Sequence, residues 1–298
     1  MAEQVNNLAN RAVVAKMSVH LMSFSERDKK TTRRVNEEFL KTSQESGNYQ
    51  KIRLDRKDLS DILSIIDKTR LYFRSQTRPF GDDGVRLLPV SLVYEYTKKM
   101  GELKREFEEE VERVTQNWDA IVARQAVRLG DMFNPERYPS SKQVSRKFKM
   151  SWSIMPVPDW TQAHDENHVL LSIQKDIADD IMAQVKEDQE RLLFESQIVL
   201  WQRLHDVVSK MATRFLNENG QVYRSALVNI EKTISIVKEL NFTDDPELTA
   251  VCVEIDQSLL GWLPKQIRHD LDLKLKLGRR AEAIADKIRA RMETGLPI

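Results

Sequence analysis

The fold is decided by residues 93–121, which read VYEYTKKMGELKREFEEEVERVTQNWDAI. Apolar residues recur here at alternating steps of three and four, which places them on one stripe of a long helix. The pattern predicts a continuous helix from about residue 90 to residue 133, packed against a second long helix. The side chains expected to be buried along this stripe are Leu103, Phe107, Val111, Val114 and Trp118.

The rest of the chain is also predicted to be mainly helical. A second long helix is expected over residues 169–218, and shorter helices over 58–74, 223–240 and 247–260, because apolar residues again follow at helical spacing. Asp244 and Asp245 before Pro246 supply an N-cap and a first-turn proline for the last of these. A basic amphipathic helix is predicted over about 278–293.

Two segments alternate with the period of a strand. Residues 15–24 and 148–154 place every second apolar side chain on one face, and an isolated strand cannot satisfy its backbone groups. We therefore expect these segments to pair, most simply as antiparallel strands, which favours one domain. Residues 270–277 also alternate but run into a helical pattern, so the sequence leaves them open between strand and helix.

Together these patterns predict a mainly α fold, an elongated helical bundle with long coiled-coil-like helices plus a small two-stranded β element. The prediction is a single domain over 1–298, with a helical core at about 25–260 and the β element from 15–24 and 147–156. Charged residues at 31% and only 9 Gly and 9 Pro agree with helices whose outer faces are charged.

The composition also bounds the function. A net charge of +1 gives no overall sign of nucleic-acid or membrane binding, so such contacts would need a local cluster. Cys252 is the only cysteine, which excludes an intrachain disulfide and favours a reducing compartment. No run of about 18 apolar residues and no secretory signal is present, so we expect a cytoplasmic protein without membrane contact.

The most distinctive local sequence is RPFGDDGVRLLP at residues 78–89. Two glycines permit tight backbone angles, and Asp82 and Asp83 stand between Arg78 and Arg86. One interpretation is a rigid turn between helices, held by pairing of these charges. The other is an exposed loop that binds a protein partner through the same four residues, and a divalent-cation site is a third.

Two basic clusters and a histidine pair complete the candidates. Basic residues near Trp152 and Trp160 would suit nucleic acid, although a solvated charged face is the commoner explanation of such clusters. His164 and His168 have zinc-ligand spacing, but Asp165 replaces the glutamate of the metalloprotease motif. With no P-loop or nucleophile elbow, we expect no enzyme, no cofactor and no metal site. The basic residues are Lys29, Lys30, Arg33, Arg34, Lys142, Arg146, Lys147 and Lys149.

Several motifs together resemble a phage- and plasmid-borne family of unknown function. They are residues 78–89, Tyr94-Glu-Tyr96 with Met100, FNPERYP at 133–139, and FKMSWSIMPVPD at 148–159. The resemblance covers roughly residues 10–250. It implies, as partners, a MoxR-type AAA ATPase and a von Willebrand A-type protein encoded nearby, and it implies no catalytic residue.

The leading hypothesis is a non-enzymatic helical interaction protein of phage or mobile-element origin, acting in a multiprotein complex in the host cytoplasm. Its helical stripes also allow a homo-oligomer. The alternative is a nucleic-acid-associated accessory factor that uses the basic clusters. The weakest hypothesis is a metal-dependent enzyme whose site contains His164, His168, Asp82 and Asp83.

Overall fold

The structure is a computed structural model that describes residues 8–40, 47–81, 84–157, 175–217 and 219–294. It is mainly α, as predicted, with a small amount of antiparallel sheet. The strands are β1 (Ala12–His20), β2 (Ser25–Arg27), β3 (Gln50–Ile52), β4 (Arg78–Pro79), β5 (Arg86–Pro89) and β6 (Lys149–Pro156). The α-helices are α1 (Leu8–Arg11), α2 (Lys29–Val35), α3 (Ser60–Gln76), α4 (Val93–Gln116), α5 (Trp118–Leu129), α6 (Ser141–Val144), α7 (Lys175–Leu216), α8 (Arg224–Glu239), α9 (Pro246–Leu259), α10 (Pro264–His269) and α11 (Leu271–Glu293).

The chain divides into two compact units. Unit 1 consists of Met1–Lys16, Arg74–Tyr94 and Ser153–Ile298, and unit 2 consists of Met17–Phe73 and Glu95–Trp152. Each unit has its own core of buried apolar side chains, and the two cores share no residue. The single domain predicted over 1–298 stays a prediction, because a domain is defined by its ability to fold as a unit.

Unit 1 is built on α7, which packs along α11 and also against α8. Helix α9 begins as predicted, because the Asp245 carboxylate accepts hydrogen bonds from the backbone N–H groups of Glu247 and Leu248 at 2.9 and 3.2 Å. Residues 271–277 are helical as well. The Asp270 carboxylate caps α11 by accepting from the Leu273 N–H at 2.9 Å, which resolves the ambiguity between strand and helix.

Unit 2 contains the predicted stripe, with one correction. The stripe is buried as expected, but the helix is not continuous, because Asn117 interrupts it and separates α4 from α5. The side-chain amide and the backbone N–H of Asn117 both donate to the Arg113 carbonyl, at 3.0 and 3.1 Å. The second long helix belongs to unit 1, so the expected packing of the stripe against it stays a prediction. Within the described part of the chain, the stripe shares its core with Leu59, Ile62 and Ile66 around α3.

The sheet is larger than the predicted two strands. Strands β1 and β6 are neighbours, which confirms their pairing, but they belong to a four-stranded sheet in the order β4-β5-β1-β6. Strand β5 pairs antiparallel with β1, from Ala12 opposite Pro89 to Ala15 opposite Arg86. Strands β2 and β3 form a separate antiparallel pair. Strands β4 and β5, expected to lie in a turn between helices, are therefore paired with each other, and β5 lies inside the sheet.

Candidate functional site

Arg78 is an internal structural residue of unit 1. Its side chain is fully buried, and its guanidinium donates to the Ser196 hydroxyl at 2.5 Å, to the Leu240 carbonyl at 3.2 Å and to the Leu193 carbonyl. Burial, and beyond it the charge of Arg203, lowers the pKa of Arg78 to about 9, so it stays a cation at neutral pH. The interpretation of Arg78 as an exposed partner contact is therefore wrong, because these acceptors enclose it.

Arg86 also binds the protein's own backbone. Its guanidinium donates to the Thr77 hydroxyl at 2.6 Å and to the Thr77 carbonyl at 2.9 Å. Arg203 donates to the carbonyls of Arg74 and Thr77 at 2.6 Å each. These carbonyls lie at the end of α3, where the helix dipole favours a cation. Asp82 and Asp83 lie outside the described residues, so their predicted role stays a prediction.

The eight predicted basic residues all belong to unit 2 and all are exposed. The first basic segment (Lys29, Lys30, Arg33 and Arg34) occupies α2, and the second basic segment (Lys142, Arg146, Lys147 and Lys149) runs from α6 into β6. Within the described residues, none of the eight has a carboxylate within ion-pair distance. Their charge is thus available to an external anion.

The helix α2 directs its four cations outward. Thr32 and Asn36 are buried, whereas Lys29 and Arg33 are one turn apart on the exposed side, as are Lys30 and Arg34. The Asp28 carboxylate accepts from the Thr31 N–H at 3.0 Å and caps the helix, and this bond is the main cause that lowers the pKa of Asp28. The cap therefore stays ionised and offsets part of the repulsion between the four cations.

A further group of cations surrounds Glu26. Its carboxylate is 3.1 Å from the Lys51 ammonium, 3.8 Å from the Arg53 guanidinium and 3.9 Å from that of Arg137. One carboxylate cannot neutralise three cations, so this Glu26 cluster carries excess positive charge. Sequence reasoning missed it because its members are separated by up to 111 positions, and only their isolated basic character is visible in the sequence.

Hydrogen bonds lead from the first basic segment to the second through this cluster. The Asp28 N–H donates to the Tyr49 carbonyl at 3.0 Å, beside β3. The Arg53 guanidinium, just after β3, donates to the Arg137 carbonyl at 2.5 Å, and the Tyr138 hydroxyl donates to the Arg53 carbonyl at 2.8 Å. Residue 138 lies three positions before α6. Unit 2 therefore joins the two segments by a folded framework.

Other predicted sites fall elsewhere. Trp152, considered for base stacking, packs edge-on against Tyr96 with ring centroids 6.1 Å apart, so its ring is partly engaged. Trp160, His164 and His168 lie outside the described residues. Across the described ranges, no three His, Cys, Asp or Glu side chains are grouped to hold a metal ion. None of the helices described there is long and apolar enough to cross a membrane.

Comparison with known proteins identifies no relative. No protein-family model matches the chain, and no curated protein or solved structure matches it either.

Proposed function

We propose that this chain is a non-enzymatic binding protein whose unit 2 associates with nucleic acid. The observation that carries the proposal is the set of eight exposed cations in the two basic segments, none of which has a carboxylate partner among the described residues. Phosphate groups are the usual partners of such cations, and neutralising them releases counterions and supplies most of the affinity.

The distribution of charge between the units supports the same proposal. Unit 2 contains 24 Lys and Arg against 19 Asp and Glu, a net of +5, whereas unit 1 contains 23 against 27, a net of −4. The overall charge of +1 therefore conceals a basic unit and an acidic one. A basic unit attracts a polyanion at long range and at low salt, independently of base sequence.

The setting that we propose follows from the sequence resemblance and from the helical stripes. The resemblance supports a phage or mobile-element protein in the bacterial cytoplasm, working with a MoxR-type AAA ATPase and a von Willebrand A-type protein. The heptad-like stripes support coiled-coil contacts, in an elongated bundle or between copies of the chain. In this proposal unit 2 brings nucleic acid to the complex, and other surfaces bind the protein partners.

Salt-dependent binding of the full chain to labelled oligonucleotides tests the proposal. Fluorescence anisotropy with duplex and single-stranded DNA, between about 50 and 200 mM salt, should show Kd rising steeply with salt. Each phosphate contact contributes about 0.9 to the slope of log K against log salt for duplex DNA and about 0.7 for a single strand. Absence of binding at the lowest salt would reject the proposal.

Two matched variants locate the contact. Changing Lys29, Lys30, Arg33 and Arg34 to Gln should lower the duplex slope by up to about 3–4, because as many as four phosphate contacts are lost. The control removes the same number of charges from exposed positions of unit 1. Equal loss of binding in both variants would mean that only net charge matters and that unit 2 has no special role. The control positions are Lys232, Lys265, Arg279 and Arg280.

A further inference from the structure

Unit 1 contains a cleft of about 420 Å³ between α8 and the connection that follows α9. One wall is a stripe of α8 in which Arg224, Leu227 and Glu231 follow at helical spacing. The other wall comprises Asp256, near the end of α9, and the residues from Leu260 to Pro264. A volume of this size accommodates a side chain or small ligand and is too small for a helix.

The rim of the cleft carries more negative than positive charge. Glu231, Asp256 and Arg224 are all exposed, and none of them has a side-chain hydrogen bond or ion pair with any residue that the structure describes. Two carboxylates against one guanidinium leave a net charge of −1 at the rim. The cleft also belongs to the acidic unit, whose field adds to that of the rim.

An aromatic side chain lies in the same cleft. Trp262 is 41% exposed and Leu263 is 64% exposed, although both are large apolar residues. Gly261, with φ of 89°, permits the turn that connects the end of α9 to them. The face of a tryptophan ring attracts an ammonium or guanidinium group, and the methylene stem of such a side chain packs on apolar surface.

We infer that this cleft binds an arginine or lysine side chain presented by a protein partner. The two unpaired carboxylates select a cation, Trp262 contacts its charged head, and Leu227 with Leu260 contacts its aliphatic stem. An anionic ligand is disfavoured by the rim charge, and a wholly apolar one would leave the carboxylates unused. The inference does not depend on nucleic-acid binding, because that proposal rests on unit 2.

Peptide titration of the full chain, observed by NMR at the indole N–H of Trp262, tests the inference. The Trp262 signal is assigned by its loss in Trp262→Phe. Acetylated, amidated Leu-Arg-Leu and Leu-Lys-Leu should shift that signal in a saturable manner. The same peptide with citrulline, the uncharged analogue of arginine, should bind about fivefold or more weakly, because the cation–π and ionic contacts are lost. Equal binding of the citrulline peptide, or no shift with any peptide, would overturn the inference.

A double variant and its control test the role of the carboxylates. Glu231→Gln with Asp256→Asn should weaken the arginine peptide to the level of the citrulline peptide. Glu282→Gln with Glu293→Gln removes two exposed carboxylates elsewhere in unit 1 and should leave the affinity within about twofold. If both double variants weaken binding equally, the peptide responds to the net charge of unit 1 and the cleft is not its site.

Discussion

Arg78 in unit 1 and the two basic segments of unit 2 use positive charge in opposite ways. In unit 1, the guanidinium of Arg78 is enclosed and bonded to the Ser196 hydroxyl and to two backbone carbonyls. In unit 2, Lys29 and Lys142 are exposed, and within the described residues neither has an ion-pair partner. The same type of charge is therefore part of the interior at Arg78 and remains available for binding at Lys29 and Lys142. Burial and partners decide the role, and the residue type alone does not.

The largest effect on stability is expected from truncating a buried side chain in either of the two cores. Phe107 is 2% exposed in the core of unit 2, so Phe107→Ala should lower the free energy of unfolding of that unit by about 3–5 kcal/mol. Leu204→Ala, at a fully buried position in unit 1, is the matched variant and should cost about 2–5 kcal/mol there. Denaturant unfolding followed by circular dichroism should show which transition each variant moves.

The same pair of variants tests the single-domain prediction. If the chain unfolds in one transition that both variants shift alike, the units form one cooperative domain despite their separate cores. If each variant shifts a different transition, each unit unfolds independently and the prediction of a single domain is wrong.

The next largest effect concerns the buried arginine. Arg78→Met keeps much of the side-chain volume but leaves the Ser196 hydroxyl and two carbonyls without their donor, which should cost about 3 kcal/mol. Arg224→Met, at an exposed position of the same unit, should change stability by no more than about 0.5 kcal/mol. Urea unfolding checks both values. If the two variants were equally stable, the buried Arg78 would contribute no more to the stability of unit 1 than the exposed Arg224.

Cys252 offers a probe of unit 1 alone, since it is the only cysteine and is fully buried in that core. Burial raises the pKa of the Cys252 thiol from 9.0 to about 11, so the thiolate fraction near pH 8 is about a hundredfold below that of an exposed thiol. Reaction with a disulfide reagent should be slower in the folded chain by at least that factor. Leu204→Ala should accelerate the reaction in either case, whereas Phe107→Ala should accelerate it only if the two units unfold as one cooperative domain.

The sign of the pH dependence follows from the raised pKa. The protonated thiol is favoured in the folded state, so its contribution is complete below about pH 9 and is lost as the pH rises toward 11. Cys252→Ala should remove that part of the alkaline loss of stability. An unchanged profile in the variant would show that the thiol does not titrate in this range.

The helices could be predicted because local periodicity determines them, as in the stripe from Leu103 to Val114. The break at Asn117 could not be predicted, because Trp118 continues the same apolar stripe and the backbone departs from helical geometry at that one residue. Strand β5 was not predicted, because a strand of four residues is too short to show an alternating pattern. Its adjacent apolar residues Leu87 and Leu88 are both fully buried, as in a strand that is covered on both faces.

The role of Arg78 could not be predicted from the sequence, because its hydrogen-bond acceptors are distant in the chain. Its acceptors at Leu193, Ser196 and Leu240 are between 115 and 162 positions away in the chain. Sequence alone presented an arginine beside Asp82 and Asp83, which suggested local pairing on a turn. The exposed basic residues were easier to recognise, because they are clustered within short segments of the sequence.

The smallest expected effect is a gain of stability, in contrast to the losses expected for the variants above. Lys29 and Lys30 occupy the first turn of α2, where the helix dipole disfavours cations, and each stands four residues before Arg33 or Arg34. Changing both lysines to Gln should therefore stabilise unit 2 by a few tenths of a kcal/mol, while it weakens binding to DNA. Thermal unfolding and anisotropy on the same samples measure the two effects. Gain of stability with loss of binding is the signature of a charge retained for function at some cost to the fold. Loss of stability would mean that these lysines make favourable contacts within unit 2, and the contrast with Arg78 would then fail.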